Sequence, residues 1–157
     1  MSTIKTAEVY SMAKEEGRAV WALGAQIFIK ATGEQTGGAI GLIEQVAPVG
    51  IGSPYHVHHG EDEIFFVLEG ELTFVSGDQQ FTGTAGSYTF LPRDIPHGFK
   101  VTGEHPARFF ILTTPAGFED FILGMSDPVP STAPLDMNKL MTLAAKHQIE
   151  ILGPLPI

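Results

Sequence analysis

The stretch PYHVHHGEDE, residues 54–63, decides how the rest of this sequence is interpreted. It contains three of the six histidines of the chain, together with three carboxylates. If it begins as a β-strand, His56 and His58 point to the same face, because successive side chains of a strand alternate between its two faces. Two imidazoles on one face can begin a metal site.

Glu63 follows this stretch into a second strand, on the face that also carries Phe65 and Val67. Burying an unpaired carboxylate among apolar side chains costs on the order of several kcal/mol. The pattern therefore predicts that Glu63 either lies next to a cation or stays protonated. A divalent metal held by the two histidines would provide the cation. The residues between, His59, Glu61 and Asp62, fall in a turn, where we expect solvated side chains, with a supporting contact to the metal site as the alternative for His59.

A third histidine lies downstream, in the stretch GSYTFLPRDIPH, residues 86–97. This stretch reads as a strand, a Pro-Arg-Asp turn and then His97, which begins a strand with Phe99 and Val101 on its face.

Composition narrows the classes of function. Eighteen acidic residues against nine basic ones give a formal charge of −9, which disfavours nucleic acid and anionic membranes as partners. The chain has no cysteine, so a metal must be held by nitrogen and oxygen. No apolar run approaches the roughly 20 residues of a membrane-spanning helix, and the N-terminal residues do not resemble a signal peptide. We expect a cytoplasmic protein and a single domain over residues 1–157.

Short β-rich runs separated by turn residues extend over about 37–114, which predicts an antiparallel sandwich or barrel. Glycine-containing turns at 69–71 and 76–78 indicate hairpins between neighbouring strands. Beyond Pro115 apolar residues recur at helical spacing, and Asp136 is placed as the N-cap of a second helix. We therefore predict an all-β core followed by a short helical segment over about 115–157 that packs outside it.

These histidine stretches resemble the cupin superfamily. Its first motif has a glycine, His-x-His, a glutamate and a closing glycine at fixed spacing, and the sequence matches it at every position (Gly50, His56, His58, Glu63 and Gly70). The second motif is matched at Gly86, Pro92 and His97. Two positions depart from it, because Asp94 replaces the usual turn glycine and Val101 the usual asparagine.

The resemblance implies a small jelly-roll cupin β-barrel with a metal site formed by His56, His58, Glu63 and His97. One divalent transition metal is expected there, and Fe, Mn, Ni, Co, Cu and Zn all suit nitrogen and oxygen ligands. Glu63 is expected both as a ligand and as the catalytic proton acceptor. Five aromatic residues are candidates for the wall of a substrate pocket: Phe65, Tyr88, Phe90, Phe99 and Phe118.

The segment TPAGFEDF, residues 114–121, is similar to one found in bacterial quercetinase-like cupins, which open flavonol rings with dioxygen. The leading hypothesis is therefore a metal-dependent dioxygenase that acts on a flavonol-like or other enolisable aromatic or diketone substrate. Two alternatives remain: a metal-dependent isomerase or decarboxylase of a small acid or sugar, and a non-catalytic small-molecule-binding cupin. Phe118 and Phe121 would lie on one face of a helix that closes the barrel mouth.

A homodimer is also expected, because the outward faces of the strands carry large apolar side chains at Ile64, Phe66, Leu68 and Leu72. The resemblance implies dimers as well.

Overall fold

The computed structural model describes residues 7–157 and places eleven strands and three helices in them. The elements follow one another as β1 (Arg18–Ala22), β2 (Ala25–Ala31), α1 (Gly33–Thr36), β3 (Gly41–Ala47), β4 (Tyr55–His58), β5 (Asp62–Glu69), β6 (Glu71–Ser76), β7 (Gln79–Thr84), β8 (Tyr88–Leu91), β9 (Gly98–Thr102), β10 (Ala107–Thr114), α2 (Phe118–Met125), α3 (Met137–Lys146) and β11 (Ile149–Gly153).

The strands form two main antiparallel sheets. The large sheet has the order β1-β2-β3-β10-β5-β8 and the small one β7-β6-β9, while β4 pairs with β11. The hydrogen-bonded sheets do not close into one continuous cylinder, but the arrangement agrees with the predicted all-β jelly-roll architecture. The sheets also extend past the predicted range 37–114, with β1 and β2 before it and β11 after it.

Alternation along the strands builds the core between the two sheets. In β10 every second residue is buried, from Ala107 to Thr113, as expected for a strand with one face covered. Phe65 lies near the middle of this core, with its ring 5.1 Å from that of Phe74 and 5.0 Å from that of Phe99. Phe109 stacks on Phe65 at 5.7 Å, so these four rings join the large sheet to the small one.

The two predicted hairpins have different outcomes. The turn after Ser76 does join paired strands, since β6 and β7 pair from Ser76 opposite Gln79. The turn at Gly70 does not, because β5 pairs with β10 and β8 whereas β6 belongs to the other sheet. Gly70, at φ 83°, joins β5 of the large sheet to β6 of the small sheet. A Cβ at this position would lie 2.8 Å from the Cα of Ala107, so the connection requires glycine.

The two predicted helices are present after the last strand of the large sheet. Helix α2 buries Phe121, Ile122 and Met125 against the core, so it is part of the fold as well as a cover. Helix α3 begins at the predicted cap, where the Asp136 side chain accepts a hydrogen bond from the backbone N–H of Lys139. No helix within residues 7–157 has the length and apolar character needed to cross a membrane.

Candidate metal centre

Three strand ends bring the four predicted ligands together. His56 and His58 lie on β4, Glu63 is the second residue of β5, and His97 immediately precedes β9. The backbones of His56 and His97 exchange two hydrogen bonds, with N···O distances of 2.9 and 2.8 Å. This local bridge fixes the third histidine beside the first, and their ring centroids are 4.7 Å apart.

The four side chains converge on one buried point. One potential ligand atom from each of the four residues lies within 4.8 Å of the others, and all four residues are buried. The Nε2 atoms of His56 and His58 are 3.1 Å apart. The Oε2 atom of Glu63 lies 3.2 Å from Nε2 of His58 and 2.9 Å from Nε2 of His97.

The positions of the histidine protons in this cluster favour a bound cation. The Nδ1 atoms of His56, His58 and His97 already face acceptors, which are Pro54 O at 2.8 Å, Glu61 Oε1 at 2.7 Å and Ile95 O at 3.2 Å, respectively. A neutral imidazole has one proton, so these contacts place it on Nδ1 and leave Nε2 as a lone pair. When all three imidazoles are neutral, three such lone pairs and a carboxylate meet without a donor between them, and a divalent metal fits that donor set.

In the metal-free cluster, burial and neighbouring charges shift the pKa values of three of these residues. Burial together with charge on His58 and His97 lowers the pKa of His56 to about 4. Burial also disfavours charge on His58, but the Glu63 and Glu61 carboxylates outweigh it and raise the pKa of His58 to about 10. Burial opposes ionisation of Glu63 as well, yet charge on His58 and hydrogen bonds from His58 and His97 hold its pKa well below the usual value. Without metal, a buried proton on His58 takes the place of the cation.

The apolar surroundings of the cluster come from three predicted pocket residues. Phe65 and Phe99 follow Glu63 and His97 by two positions on the same strand faces, so they lie one layer deeper in the barrel. Phe118, at the start of α2, places its ring edge-on to that of His58 with the centroids 5.3 Å apart. The first turn of α2 therefore covers one side of the cluster.

Tyr88 and Phe90 do not line this interior. Their side chains are exposed, whereas Thr89 and Leu91 are the buried residues of β8. The Tyr88 ring lies 5.8 Å from that of Phe66 on the outer surface of the large sheet. The expectation that these two aromatic residues form part of the pocket is wrong, because β8 directs its small polar residue Thr89 inward instead.

The turn between β4 and β5 also differs from expectation. Glu61 was expected in solvent, but it is buried and its carboxylate accepts a hydrogen bond from Nδ1 of His58. Asp62 is only partly exposed and pairs with Arg93 at 3.2 Å. His59 agrees with its predicted place outside the cluster, and its half-exposed ring lies between Asp94 and Glu150. The i, i+3 spacing of Glu61 from His58 across a turn is the sequence signal that could have identified it.

Asp94 shows how the chain tolerates the loss of a glycine in its second motif. Its φ is 68°, in the left-handed region that favours glycine but that aspartate adopts more readily than most residues. Its backbone N–H donates to the carbonyl of His58 at 2.8 Å, which ties this turn to the ligand strand. The departure at Asp94 therefore preserves the turn geometry.

Comparison with known proteins identifies the family of this site. Residues 42–113, which include all four candidate ligands, match the family model described as the cupin domain. The chain contains a cupin domain. Two curated relatives share part of it: an uncharacterized protein from Methanocaldococcus jannaschii, 27% identical over 74 residues, and a quercetin 2,3-dioxygenase from Bacillus subtilis, 25% identical over 100 residues. The matches cover 47% and 64% of this chain but only 59% and 29% of those proteins.

Solved structures support the cupin assignment at the level of the fold. An RmlC-like cupin from Shewanella frigidimarina superposes with a TM-score of 0.60 at 19% identity, covering 74% of this chain and 97% of that chain. A cupin-superfamily sugar phosphate isomerase from Silicibacter pomeroyi gives a TM-score of 0.50 at 26% identity, covering 58% of this chain and 59% of that chain. The fold is therefore shared with an RmlC-like cupin and with a protein named as a sugar phosphate isomerase.

Proposed function

We propose that this cupin is a metal-dependent dioxygenase that acts on an enolisable aromatic or diketone substrate of the flavonol type. The observation that carries the metal requirement is the meeting of the Nε2 atoms of three imidazoles with one carboxylate at a buried point. The partial similarity to the B. subtilis quercetin 2,3-dioxygenase favours oxygen chemistry among the activities known for cupins. A bound redox-capable metal would supply coordination positions for the substrate oxygen and for dioxygen.

In this proposal Glu63 has two roles, as a metal ligand and as the acceptor of the enolic proton of the substrate. Its carboxylate is the one anionic group among the four candidate ligands, and a pKa below the usual value keeps it ionised at neutral pH. Phe65 and Phe99 form an apolar floor beneath the ligands, which suits a substrate with an aromatic ring. Because these rings exclude water, the interaction of Glu63 with the substrate proton would be stronger than in solvent.

Two basic side chains of the barrel region are engaged in ion pairs. Arg93 pairs with Asp62, and Arg108 pairs with Glu44 on the outer side of the large sheet. An anionic acid or sugar phosphate would need such a group for recognition. Their positions therefore favour an apolar substrate.

Phe118 is proposed to control access to the centre, as the first residue of a lid formed by α2. It is the aromatic side chain of this helix that contacts a ligand histidine, while Phe121 anchors the helix in the core. We expect Phe118→Ala to raise KM at least several-fold and to leave metal content unchanged, as measured by steady-state oxygen uptake and metal analysis. Phe81→Ala, at an exposed site on β7, is the matched control. Unchanged KM in Phe118→Ala would contradict the lid.

The decisive experiment combines metal analysis with activity. Protein purified without added metal would be analysed for bound transition metals, and the same sample would be tested for oxygen uptake with flavonols and 1,2-diketones. Stoichiometric redox metal and substrate-dependent oxygen uptake are the expected results. Bound metal without uptake would contradict the dioxygenase and favour the isomerase, decarboxylase or non-catalytic binding alternatives.

The isomerase alternative has one specific observation in its favour. The S. pomeroyi sugar phosphate isomerase is 26% identical over the part superposed, which is close to the identity with the dioxygenase. A metal site of this type can also polarise a sugar carbonyl. Aldose–ketose interconversion without oxygen consumption, measured on a panel of sugar phosphates, would identify that activity.

We also propose that the protein is a cytoplasmic homodimer that associates through the outer face of the large sheet. Phe66, Leu68, Tyr88 and Phe90 are exposed there, and a groove of about 500 Å³ beside them is lined by Leu42 and Phe110 among others. Leu72, which was expected on an outer face, is fully buried and does not contribute.

Sedimentation velocity tests the dimer directly. We expect a dimer at micromolar concentration and a shift toward monomer in Phe66→Lys, since a charge at the centre of the face opposes its burial. Ile95→Lys, at an exposed apolar residue in the β8–β9 connection, is the control. A monomeric unaltered protein would refute the proposal.

A further inference from the structure

The three candidate ligand histidines donate hydrogen bonds from Nδ1, the nitrogen that faces away from the metal position, to different groups. Backbone carbonyls accept from Nδ1 of His56 and of His97, at 2.8 and 3.2 Å. His58 instead donates from Nδ1 to a carboxylate, that of Glu61, at 2.7 Å. The cluster is therefore asymmetric, since only one of its imidazoles has an anion behind it.

Glu61 does not belong to the ligand set. The four side chains that converge are those of His56, His58, Glu63 and His97, and Glu61 reaches them only through the far side of the His58 ring. Its side chain is 8% exposed and that of His58 is 2% exposed, so the contact is shielded from water. A hydrogen bond to a charged group in such an environment is stronger than one to a backbone carbonyl.

The position of Glu61 follows from the turn that separates β4 from β5. The chain reverses after His58, and three residues later the Glu61 side chain returns beneath the imidazole. On the other side of this turn the backbone N–H of Asp94 donates to the carbonyl of His58. His58 is thus fixed at its backbone by one turn and at its ring by another.

Two physical effects follow from a carboxylate at this place. It keeps the His58 proton on Nδ1, so that the Nε2 lone pair faces the centre, and it makes that lone pair more basic. It also adds a second buried negative charge to that of Glu63. Two carboxylates and three neutral imidazoles balance the charge of a divalent ion, which removes the cost of burying a net charge.

We propose that Glu61 is a positioning residue that orients His58 for the metal and supplies the second negative charge that neutralises a divalent ion. The inference rests on the proposed metal-dependent function, but it concerns metal binding and not the reaction catalysed. Glu61 touches neither the metal position nor the substrate. Its effect passes entirely through His58.

Metal affinity measures this role directly, with Co(II) as the probe. Co(II) binding would be followed by its visible absorption in competition with a chelator, for the unaltered protein, Glu61→Gln, Glu61→Ala and the control Asp62→Asn. Asp62 is the adjacent acid and loses the same charge, but its carboxylate faces Arg93. We expect affinity to fall about 10-fold in Glu61→Gln, which loses the charge but keeps an acceptor, and about 100-fold in Glu61→Ala. Asp62→Asn should stay within about twofold of the unaltered protein.

Proton NMR of the Co(II)-loaded proteins provides a readout that a merely structural role would not change. Each coordinated histidine should give one strongly shifted, exchangeable Nδ1–H signal, three in all. In Glu61→Ala we expect one of the three to disappear through exchange with water, while the two held by backbone carbonyls remain. Asp62→Asn should retain all three signals.

Several outcomes would overturn the inference. Co(II) affinity in Glu61→Ala equal to that of the unaltered protein would do so, as would a loss of thermal stability in this variant without a loss of affinity. A lack of oxygen uptake by protein purified with its own metal would contradict only the dioxygenase, since the Co(II) affinity ratio would still decide the role of Glu61. Failure of the unaltered protein to bind Co(II) would refute both.

Discussion

Loading the metal-free protein with its divalent ion is expected to raise Tm by roughly 8–16 °C. An ion that binds only the folded state, at a free concentration about 1,000 times its Kd, adds about 4 kcal/mol to the free energy of unfolding, and each kcal/mol shifts Tm by about 2–4 °C at this chain length. The structural reason is the meeting of the Glu63 carboxylate with three imidazoles whose Nδ1 protons are already committed. Scanning calorimetry of chelator-treated protein, alone and with each candidate metal, measures this shift.

A variant that removes one ligand provides the control for this stabilisation. His97→Ala should abolish most of the metal-induced rise in Tm, because one of three neutral donors is lost from a buried site. His105→Ala changes an exposed histidine outside the cluster and should respond to metal as the unaltered protein does. Equal Tm values in chelator and in excess of every candidate metal would exclude a metal centre that contributes to folding.

The second large effect is expected at Glu63. Glu63→Gln should lower kcat by about 10²–10⁴-fold, the usual contribution of a general acid–base group, while retaining part of the bound metal through its amide oxygen. The geometry behind this expectation is the single carboxylate oxygen, Oε2, that lies within 3.2 Å of the Nε2 atoms of both His58 and His97. Oxygen uptake under saturating substrate, normalised to metal content, provides the measurement.

Glu71→Gln is the matched control for this loss. The Glu71 carboxylate accepts a hydrogen bond from the Thr102 hydroxyl at 2.6 Å within the small sheet, and it does not belong to the metal cluster. We expect its turnover per bound metal to match that of the unaltered protein. Full activity in Glu63→Gln would refute the role of Glu63 as a base, and loss of metal in this variant would assign it to binding alone.

The convergence of the four candidate ligands could be predicted because strand alternation and motif spacing act over short distances. His56 and His58 share a face of one strand, and the position of Glu63 follows from the length of one turn. The match to the cupin motifs added His97, which is distant in sequence but forms a backbone bridge to His56. Local pattern and family spacing together were sufficient for these four positions.

Other features could not be predicted from the local sequence. A glycine turn such as that at Gly70 has the same sequence signature whether the next strand pairs with the last or crosses to another sheet. In β8 the hydrophobic residues Tyr88 and Phe90 suggest an inward face, but the register with β5 turns them outward. Glu61 was misassigned because a carboxylate in a turn is usually solvated, and only the return of the chain beneath His58 buries it.

The pairing of β11 with β4 determines when during synthesis the ligand strand can acquire its full set of neighbours. Ile149 lies opposite His58 and Ile151 opposite His56, so a segment about 90 residues downstream supports the two histidines. All four ligands have been translated by residue 97, yet the strand beside His56 and His58 is complete only when Gly153 has left the ribosome. A nascent chain can therefore present metal-binding side chains well before it can hold them in a finished site.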